Sequence, residues 1–238
     1  MRDGDIKSAF VLGVCIFLGL ACLGFFIGSS IIKFKEYERT VTVKGLSEKE
    51  YAADIALWPI QFSAAENDLV KLYEAIEQDA DKIIAFLKAN GFEAKEITVS
   101  PPGITDKLAQ GYEKSKIEFR YFAIQTITVY SQKIEAVRST MNQLAELGKK
   151  GVVLSTGGYQ NMTEYLFTRL NEVKPLMVEE ATTKAREVAV KFAKDSNSKL
   201  GKIKKARQGQ FSISNRDKNN PHIKKVRVVS TIEYYLSD

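Results

Sequence analysis

From Ser8 to Ile32 the chain runs SAFVLGVCIFLGLACLGFFIGSSII without a single charged residue. Coiled as a helix, this stretch extends about 37 Å, against a bilayer hydrocarbon core of roughly 30 Å. It has to be either a membrane anchor or a leader. A secretory leader has an apolar region of about 7–15 residues between a cationic start and a small-x-small cleavage site. Here Asp3 and Asp5 offset Arg2 and Lys7, and the cuttable Gly28–Ser30 is followed at once by Ile31, Ile32 and Phe34. The run is therefore expected to stay, with residues 1–38 forming a tail and transmembrane anchor and residues 8–32 lying in the membrane. Cys22 does not suit lipidation, because Gly19 stands where a leucine is wanted and apolar residues continue after it. Cys15 and Cys22 fit as small apolar residues of a membrane helix. No cysteine follows, so the rest of the chain has no disulfide and no thiolate nucleophile or ligand. Charge leaves the orientation open. Lys33, Lys35, Arg39 and Lys44 outnumber Arg2 and Lys7, but long following domains cross membranes largely regardless of charge.

Residues 39–238 are enough for one domain with a sizeable core, at a net charge of +6 for the whole chain. Three segments share the order helix, strand, strand. In the first, Leu69, Leu72, Tyr73, Ile76, Ala80, Ile83, Ile84 and Leu87 recur at three and four, with Asn67 as the expected N-cap and Asn90-Gly91 as the stop. EITVS and KIEFRYFAIQTITVYS follow as strands, separated by Pro101-Pro102-Gly103. The second segment has a helix over 134–147, then GVVLSTGG and TEYLFTRL. The third has a helix over 172–196, then KIKKARQGQFSIS and VRVVSTIEYYL. Ahead of them, RTVTVKG and YAADIALWPIQFSA are strands, and Pro59 predicts an edge position or a bulge in the second. In the last strand Val226, Val228, Ile232, Tyr234 and Leu236 share one face, while Arg227, Thr231 and Glu233 share the other. Strands that arrive in pairs predict an α+β fold, an antiparallel sheet with helices packed mainly on one side. In the third helix Ala181, Ala185, Ala189 and Ala193 recur every four residues. That row suits close packing on the sheet first and a subunit contact second.

KPLMVEEATTKAREVAVKFAKDSNSKLGKIKKARQGQF resembles the C-terminal signature of SIMPL-domain proteins, with an alanine-rich helix, the Leu200-Gly201 turn and an outgoing strand. VTVKGLSEKEYAADIALWPIQFSA resembles the family's opening strand pair, with Ala53 where a proline is common, and ITVSPPGITD resembles its middle segment. The resemblance covers roughly residues 40 to 238. It implies an envelope protein with the domain on the outer, periplasmic side of the inner membrane and with ring- or channel-like oligomers. It also implies links to envelope or oxidative stress, and it supplies no catalytic residues and no cofactor to carry over.

The residues themselves are poor in chemistry. His222 is the only histidine, placed in a loop after Asn219-Asn220-Pro221, with neither a nucleophile nor a second nitrogen ligand near it in sequence. Glu179-Glu180 and Glu48/Glu50 are expected as solvated charges. Thr156-Gly157-Gly158 lacks the ending of a phosphate loop, and Asn161-Met162-Thr163 is a chance glycosylation triplet. The anomaly is basic: Lys199, Lys202, Lys204, Lys205, Arg207, Arg216, Lys218, Lys224, Lys225 and Arg227 crowd the final hairpin, opposed locally by Asp217 alone. Lys202, Lys204, Lys205, Arg207, Lys224, Lys225 and Arg227 are the candidates for an anionic lipid or envelope polymer; Lys on a sheet edge also discourages aggregation. Nucleic acid is a poor partner, since Phe211 is the lone aromatic in that stretch. In FRYFAIQTITVY, Ile117, Phe119, Tyr121, Ile127 and Val129 make one row, and Phe122, Ile124 and Tyr130 interrupt the other. Phe122 and Ile124 are therefore the expected contact of a homo-oligomer, in a protein without catalysis.

Overall fold

The structure, a computed structural model, describes residues 3–37, 39–111, 118–155 and 162–237. The apolar run forms helix α1 (Asp3–Tyr37), and none of its Phe10–Ile31 stretch is buried by the rest of the chain. After it come β1 (Thr40–Ala52), β2 (Ile55–Glu66), α2 (Leu69–Ala89), β3 (Ile97–Val99), β4 (Gly103–Asp106) and β5 (Tyr121–Ser131). The order continues with α3 (Ile134–Met141), α4 (Ala145–Lys149), β6 (Val153–Leu154), β7 (Glu164–Leu166) and α5 (Leu170–Asp195). It ends with β8 (Lys199–Gln208), β9 (Ser212–Asn215) and β10 (Ile223–Ser237). The fold is α+β with antiparallel sheets. The described strands form two sheets: β1-β10-β8 with β9 also on β10, and β3-β5-β2-β6 with β4 on β5 and β7 on β2.

Two compact units result: Lys49–Val173 with Ser212–Val226, and Met1–Glu48 with Lys174–Phe211 and Arg227–Asp238. In the first, the β2–β5 register places Trp58 opposite Val129, Ile60 opposite Ile127 and Ala64 opposite Ala123. One face is thereby apolar, and α2 lays Leu72, Ile76, Ile83 and Leu87 into the same core. Leu72, Ile83, Leu87, Phe62 and Ile127 are fully buried, each contributing about 1.5–3 kcal/mol of burial. α2 and α4 end alike. Gly91 (φ 89°) and Gly151 (φ 85°) take left-handed geometry, while Phe92 N and Val152 N donate back to Leu87 O and Leu147 O, so each stop is stapled by a buried apolar pair.

Three local expectations are corrected. The N-cap of α2 is Asp68, whose Oδ1 accepts from Val70 N and Lys71 N at 2.9 and 3.1 Å. Asn67 instead donates to Glu118 O and accepts from Arg120 N. The second helix is two pieces, because Gln143 N and Leu144 N donate three residues back, to Thr140 O and Met141 O; this tightening carries the chain to a buried Leu147. Pro59 sits unbulged in a central strand opposite Thr128. Gln61 O accepts from Ser155 N, so odd residues of β2 point their backbone away from β5, and the missing Pro59 donor falls between β7 (on 55–57) and β6 (on 62–63).

The other unit packs through small residues. Ala181, Ala185, Ala189 and Ala193 are at most 2% exposed, so the alanine row serves packing within the chain. A Cβ on Gly45 would lie 1.8 Å from Ala181 O and 2.6 Å from Ala185 N, so β1 touches the helix backbone directly. Val43, Ile232 and Tyr234 close around Ala185 and Ala189. Ser47, fully buried, donates to Glu180 at 2.9 Å.

Candidate functional site

β8 and β10 carry most of the C-terminal basic cluster. β8 is exposed along nearly its whole length and, among the described strands, pairs only with β10, with Thr231 opposite Arg207 and Glu233 opposite Lys205. Register breaks on either side of Tyr234 let the strand shift around it. Thr231 and Glu233 lie on the β10 face away from the buried Ile232 and Tyr234, so Lys205 and Arg207 share that outer face. With Thr42 of β1 they line an open depression of about 230 Å³.

The carboxylate in that depression is occupied. Glu233 Oε1 accepts from Thr40 Oγ1 at 2.9 Å and from Lys204 Nζ at 3.2 Å. These bonds, Thr40's the larger, hold Glu233 below the usual carboxylate range against the opposing effect of desolvation. Lys204 also lies 5.7 Å over the exposed Tyr235 ring. Lys202, Lys205 and Arg207 hold no ion pair among the described residues.

The sequence-derived cluster therefore divides. Lys202, Lys204, Lys205 and Arg207 stand on β8. Arg227 pairs with Glu48 at 3.7 Å, and Arg216 with Glu50 at 3.7 Å and Asp217 at 2.9 Å. Lys225 is half-buried. Lys224 is buried and donates to Asn215 Oδ1; burial pushes its pKa down, against the pull of Glu164. Sequence proximity found Asp217 as the opposing acid but missed Glu48, Glu50 and Glu233, which pairing brings from β1 and β10. It also missed Thr42, whose only signal is alternation in β1.

Phe122 and Ile124 sit on the β5 face opposite the core, facing Ala65 and Ser63 of β2. Ile124 and Tyr130 are 36% and 50% exposed, and Lys107 Nζ lies 5.8 Å over the Phe122 ring. Ile117 lies outside the described residues, as do Thr156-Gly157-Gly158 and Asn161. His222 is packed rather than freely solvated. Its ring meets Tyr165 edge-on at 6.0 Å, its carbonyl accepts from Ala53 N, and burial first, then Arg138, lowers its pKa. Next to Ala53 in sequence, Asp54 accepts from Thr168 N and Oγ1 at 2.9 and 2.7 Å and pairs with Arg169. Burial alone would raise Asp54; the Thr168 hydrogen bonds and Arg169 more than offset it. These contacts anchor turns. Among the described residues no group of three or more His, Cys, Asp or Glu is placed to hold a metal.

An α+β domain with an exposed basic strand, behind a helix that can cross a bilayer, is the class these features define. The SIMPL family, described as a protein of unknown function (DUF541), matches residues 41–230, and the chain belongs to it. A search of curated proteins finds no match.

Proposed function

We propose that this is a single-pass inner-membrane protein, anchored by α1, whose SIMPL domain stands on the periplasmic side, assembles with copies of itself and serves a structural or stress-protective role in the envelope without catalysis. The observation that carries this is the 22-residue Phe10–Ile31 stretch, long and apolar enough to span and with none of its residues buried. Intact mass of the membrane-extracted protein tests it: a chain retaining residues 1–38 is expected, and one starting near Ile31 overturns the anchor. The family resemblance supports the periplasmic side against the charge count. Protease added to spheroplasts should digest the domain, and protection until lysis would reverse the topology. Assembly is supported by the exposed apolar row of Ile124 and Tyr130 beside Phe122. In detergent the full chain should sediment as an oligomer that Phe122→Lys with Ile124→Lys dissociates. A monomer at tens of micromolar removes assembly, and an oligomer indifferent to both changes moves the contact elsewhere.

A second reading, a binding module for an anionic envelope ligand, is favoured by the cations of β8 that hold no ion pair among the described residues. Its residues are Lys202, Lys205 and Arg207 rather than the buried Lys224.

A further inference from the structure

We propose that the outer face of the β1-β10-β8 sheet docks on anionic phospholipid headgroups, with Lys205 and Arg207 taking the phosphate and Thr42 and Thr231 adding hydroxyl donors. This rests on α1 being a membrane anchor, and it names the ligand of the basic strand.

Three observations converge on it. The first is chemical. The depression holds two cations and two hydroxyls around one acid, and that acid, Glu233, already accepts from Thr40 and Lys204. An oxyanion entering there meets an ammonium and a guanidinium, the latter able to grip two phosphate oxygens at once. The second is the tether. Residues 38 and 39 alone separate α1 from β1, so Thr40 lies at most about 11 Å from Tyr37. Six residues of α1 beyond Ile31 rise only about 9 Å past the apolar stretch, into the headgroup layer. Thr42 is about 7 Å further along β1. The third is what lies at that end of the sheet. Leu236 N donates to Arg39 O, and Ser237 pairs with Lys199, so the end of β10 and the start of β8 emerge where the tether arrives. Tyr235, 39% exposed beneath Lys204, presents there an aromatic ring of the kind that settles at membrane interfaces.

A lipid surface is favoured over a soluble acidic polymer because the tether confines this face to one bilayer leaflet at high effective concentration. Each cation brought to an anionic surface then adds about a fivefold preference.

The test uses the full-length chain in nanodiscs of phosphatidylcholine alone or mixed with phosphatidylglycerol, read by hydrogen–deuterium exchange of the β8 amides. Exchange over Lys202–Gln208 is expected to slow about fivefold or more in the anionic discs, and added salt should reverse this. Lys205→Gln with Arg207→Gln, both at exposed positions, should abolish the effect, while Lys149→Gln with Lys150→Gln should leave it intact. Exchange that ignores lipid composition, or protection that survives the double change, overturns the docking face while the chain's presence in the disc upholds the anchor. A chain that fails to enter the discs overturns both. Equal protection in neutral discs by inorganic phosphate or by an acidic polysaccharide replaces the headgroup by a soluble anion and likewise overturns the proposal.

Discussion

In the unit built on β2 and β5, sheet and helix meet through bulky side chains from both; in the unit built on β1 and β10, the helix offers mainly alanines to Val43, Ile232 and Tyr234 of the sheet. Phe62, Leu72, Ile83, Leu87 and Ile127 fill the first interface. The second adds a direct backbone approach, Gly45 against Ala181 and Ala185. A bulky core gains from transfer of large apolar groups and fails by forming cavities. A backbone-contact core buries little per residue, gains from close dispersion contact, and fails when anything is added. That difference bears on function. That unit leaves β8 exposed on both faces, and Lys202, Lys205 and Arg207 of β8 hold no ion pair among the described residues.

The largest effect should come from emptying the bulky core. Phe62→Ala is expected to cost about 3–5 kcal/mol in denaturant unfolding. Trp58 is 2% exposed and 6.5 Å from Phe92, so its fluorescence reports this unit directly. A loss below about 1 kcal/mol would mean that the core around Phe62 collapses to fill the space, and the contrast would lose its basis.

One substitution made in both sheets sharpens the contrast. Gly45→Ala puts a methyl into the Ala181 carbonyl and should cost about 1–3 kcal/mol or more. At Gly103 the nearest atom to an added Cβ is Ile124 O at 3.8 Å, so Gly103→Ala should stay within about 0.5 kcal/mol. Unfolding followed by far-ultraviolet circular dichroism checks both. Equal outcomes would mean that β1 can move off α5, and the close approach would not be what holds that unit.

These two regions also differ in how legible they were. Periodicity sufficed for α2, since Leu72, Ile76, Ile83 and Leu87 sit one or two turns apart and Asn90-Gly91 ends the helix where expected. The alanine row announced a close contact, and the alternation of β10 gave both of its faces. Partners distant in sequence were not readable. Glu233 meets Thr40 and Lys204, Arg227 meets Glu48, and Arg216 meets Glu50 through pairings that no local pattern encodes. Pro59 misled for the same reason: its missing donor faces a space left between two strands that arrive about a hundred residues later. The basic cluster looked uniform because sequence lacks depth. Burial removes Lys224 from the surface, and cross-strand pairing separates Arg227 from Lys205 and Arg207.

The smallest expected effect concerns the turn between β9 and β10, where an exposed carboxylate does locally what bulky side chains do in the core of the same unit. Asp217 Oδ1 accepts from Asn219 N at 2.8 Å and Asn220 N at 2.9 Å, and Oδ2 accepts from Arg216 Nε at 2.9 Å. The Arg216 hydrogen bond first, then that of Asn220, lowers its pKa from 3.8 to about 2. Because the folded value is the lower one, the turn's contribution is fully present above the unfolded pKa near 3.8 and fades as pH falls through about 2. Carboxyl NMR of aspartate-labelled protein should show Asp217 titrating near about 2, and Arg216→Gln should move that midpoint upward. The Asn219 and Asn220 amide signals should follow the same titration, since they lose a charged acceptor when Asp217 protonates. A midpoint at the ordinary 3.8, unmoved by Arg216→Gln, would mean that solvent screens the turn entirely and that the unit owes its order to the bulky core alone.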